Sequence, residues 1–178
     1  MRYPLEKKKT KLPAKKIALV LGIGLCLGWL LSLLFRSYIL EPIQISTQSM
    51  EPSLKMGDSF LLYKWTRPSE LPIGEVVLCK RDSGFVVGRL LGRPGDRIQI
   101  LNKTLIRNGE VVPPELYSIV HKDTRPPLPG DFTPRDNANE IRVPEGHFYI
   151  LGDNRDEAMD SRFLGSFPIE SVVGYFSL

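Results

Sequence analysis

The chain has little from which to build a redox, metal or nucleic-acid site. Among its 178 residues there are two cysteines and two histidines. Cys26 lies inside a long apolar run and Cys79 in a strand-like stretch far downstream. A disulfide between them is not expected, and cysteine usage leaves the compartment open. His121 and His147 stand alone, and no spacing of His, Cys, Asp or Glu suits a metal. Neither a metal nor a cofactor is therefore expected. Beyond residue 36 no long segment carries apolar residues at the helical period, which argues against a helical bundle. Internal repeats are also missing. A basic face is lacking too, despite a net charge of +4. Residues 1–16 hold seven of the 24 lysines and arginines and one of the 20 carboxylates, leaving 17 basic against 19 acidic side chains. The charge belongs to a tail, and nucleic acid is not an expected partner.

What is present begins with IALVLGIGLCLGWLLSLLF at 17–35, which carries no charge. Roughly 20 apolar residues cross a hydrocarbon core as a helix. The run is apolar on every side, unlike a core helix of a soluble domain. A cleaved signal peptide is the competing reading. The run is longer than a usual signal core, and no A-x-A-like site follows. The expected division is a cytoplasmic basic tail at 1–16, a transmembrane anchor at 17–35 and an extracytoplasmic domain at 37–178. The cationic cluster before the run sets that orientation. The expected location is the plasma (inner) membrane, single-pass, with the lipid bilayer as a partner. Residues 36–48 span at most about 45 Å when extended, so Ser49 is expected near the outer membrane face.

The outer part reads as β structure. SFLLYKW (59–65), EVVLCK (75–80), FVVGRLL (85–91), RIQIL (97–101), TLIRN (104–108), HFYIL (147–151) and SVVGYFSL (171–178) are short, rich in β-branched and aromatic residues, and bounded by turn residues. Arg81-Asp82-Ser83-Gly84 and Asn102-Lys103 read as hairpin turns. Residues 113–140 are rich in proline and poor in apolar pairs. The fold class expected is mainly β: a transmembrane helix, then an all-β domain with a loop-rich insertion at about 101–142.

Three segments carry polar groups of chemical interest: EPIQISTQSMEPSLKMGD (41–58), VVGRLLGRPGDRI (86–98) and GDNRDEAMDSRFLGSFP (152–168). A serine in a polar loop is by itself usually a turn residue. In this order behind an anchor, the three resemble the motifs of the bacterial type I signal peptidases, from the anchor to residue 174. SMEPSL resembles the nucleophile motif, with Ser49 in the nucleophile position. GDSFLLYK resembles the following strand motif, GRLLGRPGD the strand-and-turn motif, and GDNRDEAMDSR the last motif.

The resemblance implies a membrane-anchored serine endopeptidase that removes signal peptides from exported preproteins. The partners it implies are those signal peptides, with the secretion machinery as a further candidate. It makes Ser49 the nucleophile, with an oxyanion site formed by the Ser49 amide and the Thr47 hydroxyl. It gives Asp160, Ser161 and Arg162 a bracing role. Ile43, Ile45 and Val87 would line shallow pockets for small side chains on a peptide added as a strand. The same three would serve equally as core. Leu61, Leu62 and Trp65 are candidates either for an apolar patch on the bilayer or for core.

Two departures are plain. The lysine that acts as base in the family is replaced by Gly88. The serine that orients that lysine is replaced by Ala158. Arg89 is retained, but a guanidinium stays protonated and is no base. Lys80 is the nearest lysine in sequence to position 88. A two-residue loop at Asp82-Ser83 would put it on the face opposite Gly88, whereas a three-residue loop or a bulge would reverse that parity. Lys55 and Lys64 read as lysines that snorkel to headgroups. The residues thus leave two readings open: a peptidase whose base is unidentified, or a homologue that binds preproteins or assists an active relative without cutting.

Overall fold

The computed structural model describes residues 13–64, 67–82, 84–113, 116, 119, 121–127 and 134–177. It divides into two units, residues 1–38 and 39–178. Among its described residues the first contains one helix, α1 (Ala14–Tyr38). Its stretch Ala14–Arg36 is long and apolar enough to cross a membrane.

The second unit is mainly β. Its strands are β1 (Leu40–Gln44), β2 (Ser59–Tyr63), β3 (Val76–Arg81), β4 (Gly84–Gly92), β5 (Arg97–Leu101), β6 (Thr104–Arg107), β7 (Glu110–Val111), β8 (Ala138–Arg142), β9 (His147–Leu151), β10 (Phe167–Pro168) and β11 (Val172–Phe176). A short helix, α2 (Ser161–Leu164), follows β9. The strands form a seven-stranded sheet, in order β1-β2-β11-β3-β4-β9-β10, and a four-stranded sheet, in order β7-β6-β5-β8.

Strand β1 contains Pro42 and lies at a sheet edge, where a missing N–H leaves no ladder bond unmade. The β5–β6 hairpin turns on Asn102 and Lys103, at φ 50° and 66°. Two successive positive φ values suit the right-handed twist of the flanking strands, and asparagine tolerates them.

Side-chain alternation along β4 sorts the core. Val87 points into a cluster with Ile45, Met50, Leu54, Leu62, Val76, Leu78 and Phe176. Leu90 points the other way, with Val77, Cys79, Phe148, Ile150 and Phe167. A third cluster joins Leu91, Tyr149 and Leu151 of the large sheet to Ile98, Ile100, Leu105 and Val143 around the small one. Leu62 is fully buried in the first cluster and so cannot belong to a bilayer-facing patch, whereas Leu61 is exposed. A period of two makes opposite fates for neighbours the rule in a strand. Trp65 lies outside the described residues.

Candidate active site

Ser49 sits in the turn between β1 and β2 and is 8% exposed. Its backbone is clamped from a hundred residues away. The Asn154 amide donates to the Ser49 carbonyl at 3.0 Å, and Asn154 Nδ2 donates to the Gln48 carbonyl at 3.0 Å. The Ser49 amide donates to Thr47 Oγ1 at 3.1 Å. Those two groups are the ones the resemblance assigns to the oxyanion. Here the amide is taken up by the hydroxyl oxygen and would have to be released to receive a substrate oxygen, whereas the Thr47 hydroxyl accepts in this bond and keeps its own O–H to donate.

Beneath Ser49 lies Gly152, just past β9. A Cβ built on Gly152 would stand 2.3 Å from the Ala158 Cβ and 2.6 Å from the Ser49 carbonyl oxygen. Only glycine lets the three backbones come this close. Ala158, 2% exposed, is therefore packed under the serine loop.

Gly88 is on the same side. Arg89 pairs with Leu151 and Leu90 with Ile150, and continuing that register places Gly88 opposite Gly152. A Cβ on Gly88 would meet three side-chain atoms of Ile150 at 3.2 to 3.3 Å. Ile150 is fully buried. The direction a lysine would take from position 88 thus begins against an isoleucine.

The hairpin register also fixes the parity of Lys80. Arg81 pairs with Gly84, so the loop is Asp82-Ser83. Lys80 pairs with Phe85, and Val77 pairs with Gly88. Lys80 therefore lies on the opposite face from Gly88, and it is exposed. Lys64 pairs with Glu41 at 3.0 Å, and Lys55 is exposed.

Asp160, Ser161 and Arg162 come together at the start of α2. Asp160 caps α2 by accepting from the Arg162 amide at 3.1 Å. It also accepts from the Gly152 amide at 2.9 Å and from Arg162 Nε and Nη2, both at 2.9 Å. Ser161 Oγ accepts from the Ile150 amide at 2.9 Å. All three side chains are buried. A buried carboxylate with this many donors is fully compensated.

A second ion pair escaped the sequence reading. Arg89 binds Asp153, Ser53 Oγ donates to Asp153 Oδ2 at 2.6 Å, and Arg89 Nη1 donates to the Gly74 carbonyl at 2.7 Å. The signal was the Gly152-Asp153 turn together with an arginine facing inward from β4. Nearby Glu75 has its carboxyl raised above the usual range by burial, against the pull of Arg89. Asn154 likewise went unrecognised, because a backbone clamp leaves no mark in one sequence.

Ile43, Ile45 and Val87 line one groove of about 450 Å³ together with Thr47, Leu78 and Phe85. Ile45 and Val87 belong also to the core, so the two roles coincide. Among the described residues no cluster of His, Cys, Asp or Glu could hold a metal.

Comparison with known proteins decides the family. The family described as signal peptidase, peptidase S26, matches residues 16–178. The chain belongs to the signal peptidases. It is 37% identical over 151 residues to signal peptidase I of Bacillus licheniformis, across 81% of this chain and 78% of that one. It is 32% identical over 160 residues to signal peptidase I T of Bacillus subtilis (strain 168), across 86% and 80%. A crystal structure of a signal peptidase I from Enterococcus faecalis V583 overlays with a TM-score of 0.46 and 26% identity, covering 61% of this chain and 97% of that one. Membership supports a serine peptidase acting on signal peptides as the function of the family.

Proposed function

We propose that this signal peptidase is a single-pass protein of the plasma (inner) membrane, with a cytoplasmic N-terminus, that receives the C-terminal ends of preprotein signal peptides and acts on them as a serine endopeptidase. Ser49 is the nucleophile, and Thr47 with the Ser49 amide receives the developing oxyanion. Ile43, Ile45 and Val87 hold the small side chains before the cut. The observation that carries this reading is the groove itself: it is lined by Ile43, Ile45 and Val87 and reaches Thr47, two residues short of Ser49. Asp160, Ser161 and Arg162 hold the floor of the site and take no part in proton transfer.

A second reading has its own support. Gly88 carries no base, Ala158 carries no hydroxyl, and Ile150 closes over position 88. Such a site binds a signal peptide and leaves it whole, or presents it to an active relative. Cleavage of an Ala-x-Ala preprotein in detergent by the parent and by Ser49→Ala separates the two. Cleavage by the parent alone supports the peptidase. If neither protein cuts, and Gly88→Lys with Ala158→Ser does, the binding reading stands. Cleavage retained in Ser49→Ala would remove Ser49 from the mechanism.

A further inference from the structure

Residues 121–125 form an arm across the two loops that frame Ser49. The Asp123 amide donates to Asp156 Oδ2 at 2.7 Å. Lys103 Nζ donates to the carbonyls of Asp123 and Arg125 at 2.8 and 3.0 Å. Lys122 Nζ lies 3.8 Å from Glu51 Oε2. The arm is thus fastened to the loop of Asp156 and lies alongside the loop of Ser49.

Glu51 stands two residues past the nucleophile. The groove is lined by residues 41–47 before Ser49, and Glu51 takes no part in it. A peptide whose apolar end fills the groove and whose scissile carbonyl reaches Ser49 must continue beyond it. At roughly 3.3 Å per extended residue, the second and third residues after the cut lie about 7–10 Å further on. Lys122, on the arm, stands beside Glu51, two residues past Ser49.

We infer that the arm is the wall met by the first residues after the scissile bond, and that Lys122 selects an acidic side chain there. This rests on the reading of the groove given above. The separation of 3.8 Å exceeds hydrogen-bond length, so the three ammonium donors of Lys122 are not committed to Glu51. Its side chain is 48% exposed against 31% for Glu51, so it is the more accessible of the two. The neighbouring Arg125 guanidinium offers no competing charge, because Asp123 holds it. An incoming carboxylate displaces Glu51 from Lys122, and an incoming ammonium is repelled.

The test uses the full chain bearing Ser49→Ala in detergent, so that no peptide is consumed. Three labelled peptides share an Ala-x-Ala end and carry Asp, Ser or Lys at the second and third positions after it. Affinity is read by fluorescence anisotropy. One exposed ion pair supports about a two- to five-fold preference for the Asp peptide over the Ser peptide. Lys122→Glu is expected to reverse the order, and Glu51→Gln to widen it. Equal affinities in all backgrounds overturn the role of Lys122; if Ile43→Asp still abolishes binding, the groove reading survives. Failure of every peptide to bind overturns the groove reading and this inference together.

Discussion

Arg89 grips Asp153 with two parallel hydrogen bonds, Nε to Oδ1 at 2.9 Å and Nη2 to Oδ2 at 2.6 Å. The pair ties β4, at the residue after Gly88, to the loop that carries Asn154. It is well buried on both sides. Removing one partner strands a buried charge, which costs about 3–5 kcal/mol. Arg89→Ala is expected to lower unfolding free energy by about that amount in urea titration. A loss below about 1 kcal/mol would mean that water reaches Asp153 and that the pair is not structural.

Gly152→Ala forces a methyl into the space of the Ala158 methyl and the Ser49 carbonyl. Overpacking of this kind costs about 1–3 kcal/mol. The more telling effect is local. Ser49 is pushed off the Asn154 amide, so hydrogen exchange at Asn154 is expected to accelerate while exchange in β3 and β4 stays slow. Unchanged protection at Asn154 would contradict the close approach described here.

Gly88→Lys introduces an amine beside Ile150. Desolvation disfavours its charged form, so the folded-state pKa falls below the usual lysine value near 10.4. A cationic group with a lowered folded pKa is most stable, relative to the unfolded chain, at high pH and loses that stability as pH falls below its unfolded pKa. The variant is therefore expected to melt further below the parent at pH 7 than at pH 10. Adding Ile150→Val should recover part of the loss by opening the 3.2 Å contact. A melting difference independent of pH would show that the amine reaches water.

His121 sets a second pH dependence. Burial, and then the Arg155 guanidinium, hold its imidazole below 6.5, with Lys103 and Arg162 acting the same way and Asp156 opposing. The unfolded chain takes up this proton first, so stability falls as pH drops below 6.5. Asp96 acts in a separate window. Burial raises its carboxyl, but the Arg93 amide, Asn108 and Arg107 outweigh that and hold it below 3.8. Its stabilisation is lost only under more acid conditions. Melting temperature is expected to fall between pH 7.5 and 5.5, and His121→Gln should flatten that slope. An equal slope in both proteins would place the dependence elsewhere.

Much of this was legible in the sequence because strand chemistry is local. Alternation and turn residues located β3, β4, β5, β6 and β9 to within a residue or two. Strand β1 was hidden by Pro42, which reads as a breaker until the strand is known to be an edge. Strand β8, ANEIR, carries one large apolar side chain and takes its partner from β5, so its period is silent. Ser49, Thr47 and the Asp160–Arg162 pair were singled out through motif order. Asn154, Asp153 and Ile150 were not: Ile150 acts through shape, and the partners of Asn154 and Asp153 lie far away in the chain, so no local pattern marks them.

The glycine at position 88 also has a meaning for the fold apart from chemistry. A lysine there would have to be kept dry against Ile150, a standing strain on a small β domain. With glycine in its place the same framework is relieved of that strain, at the lesser cost of a flexible residue in a strand. A chain freed in this way can be sturdier than one that carries the lysine, and durability and chemistry can be inherited separately.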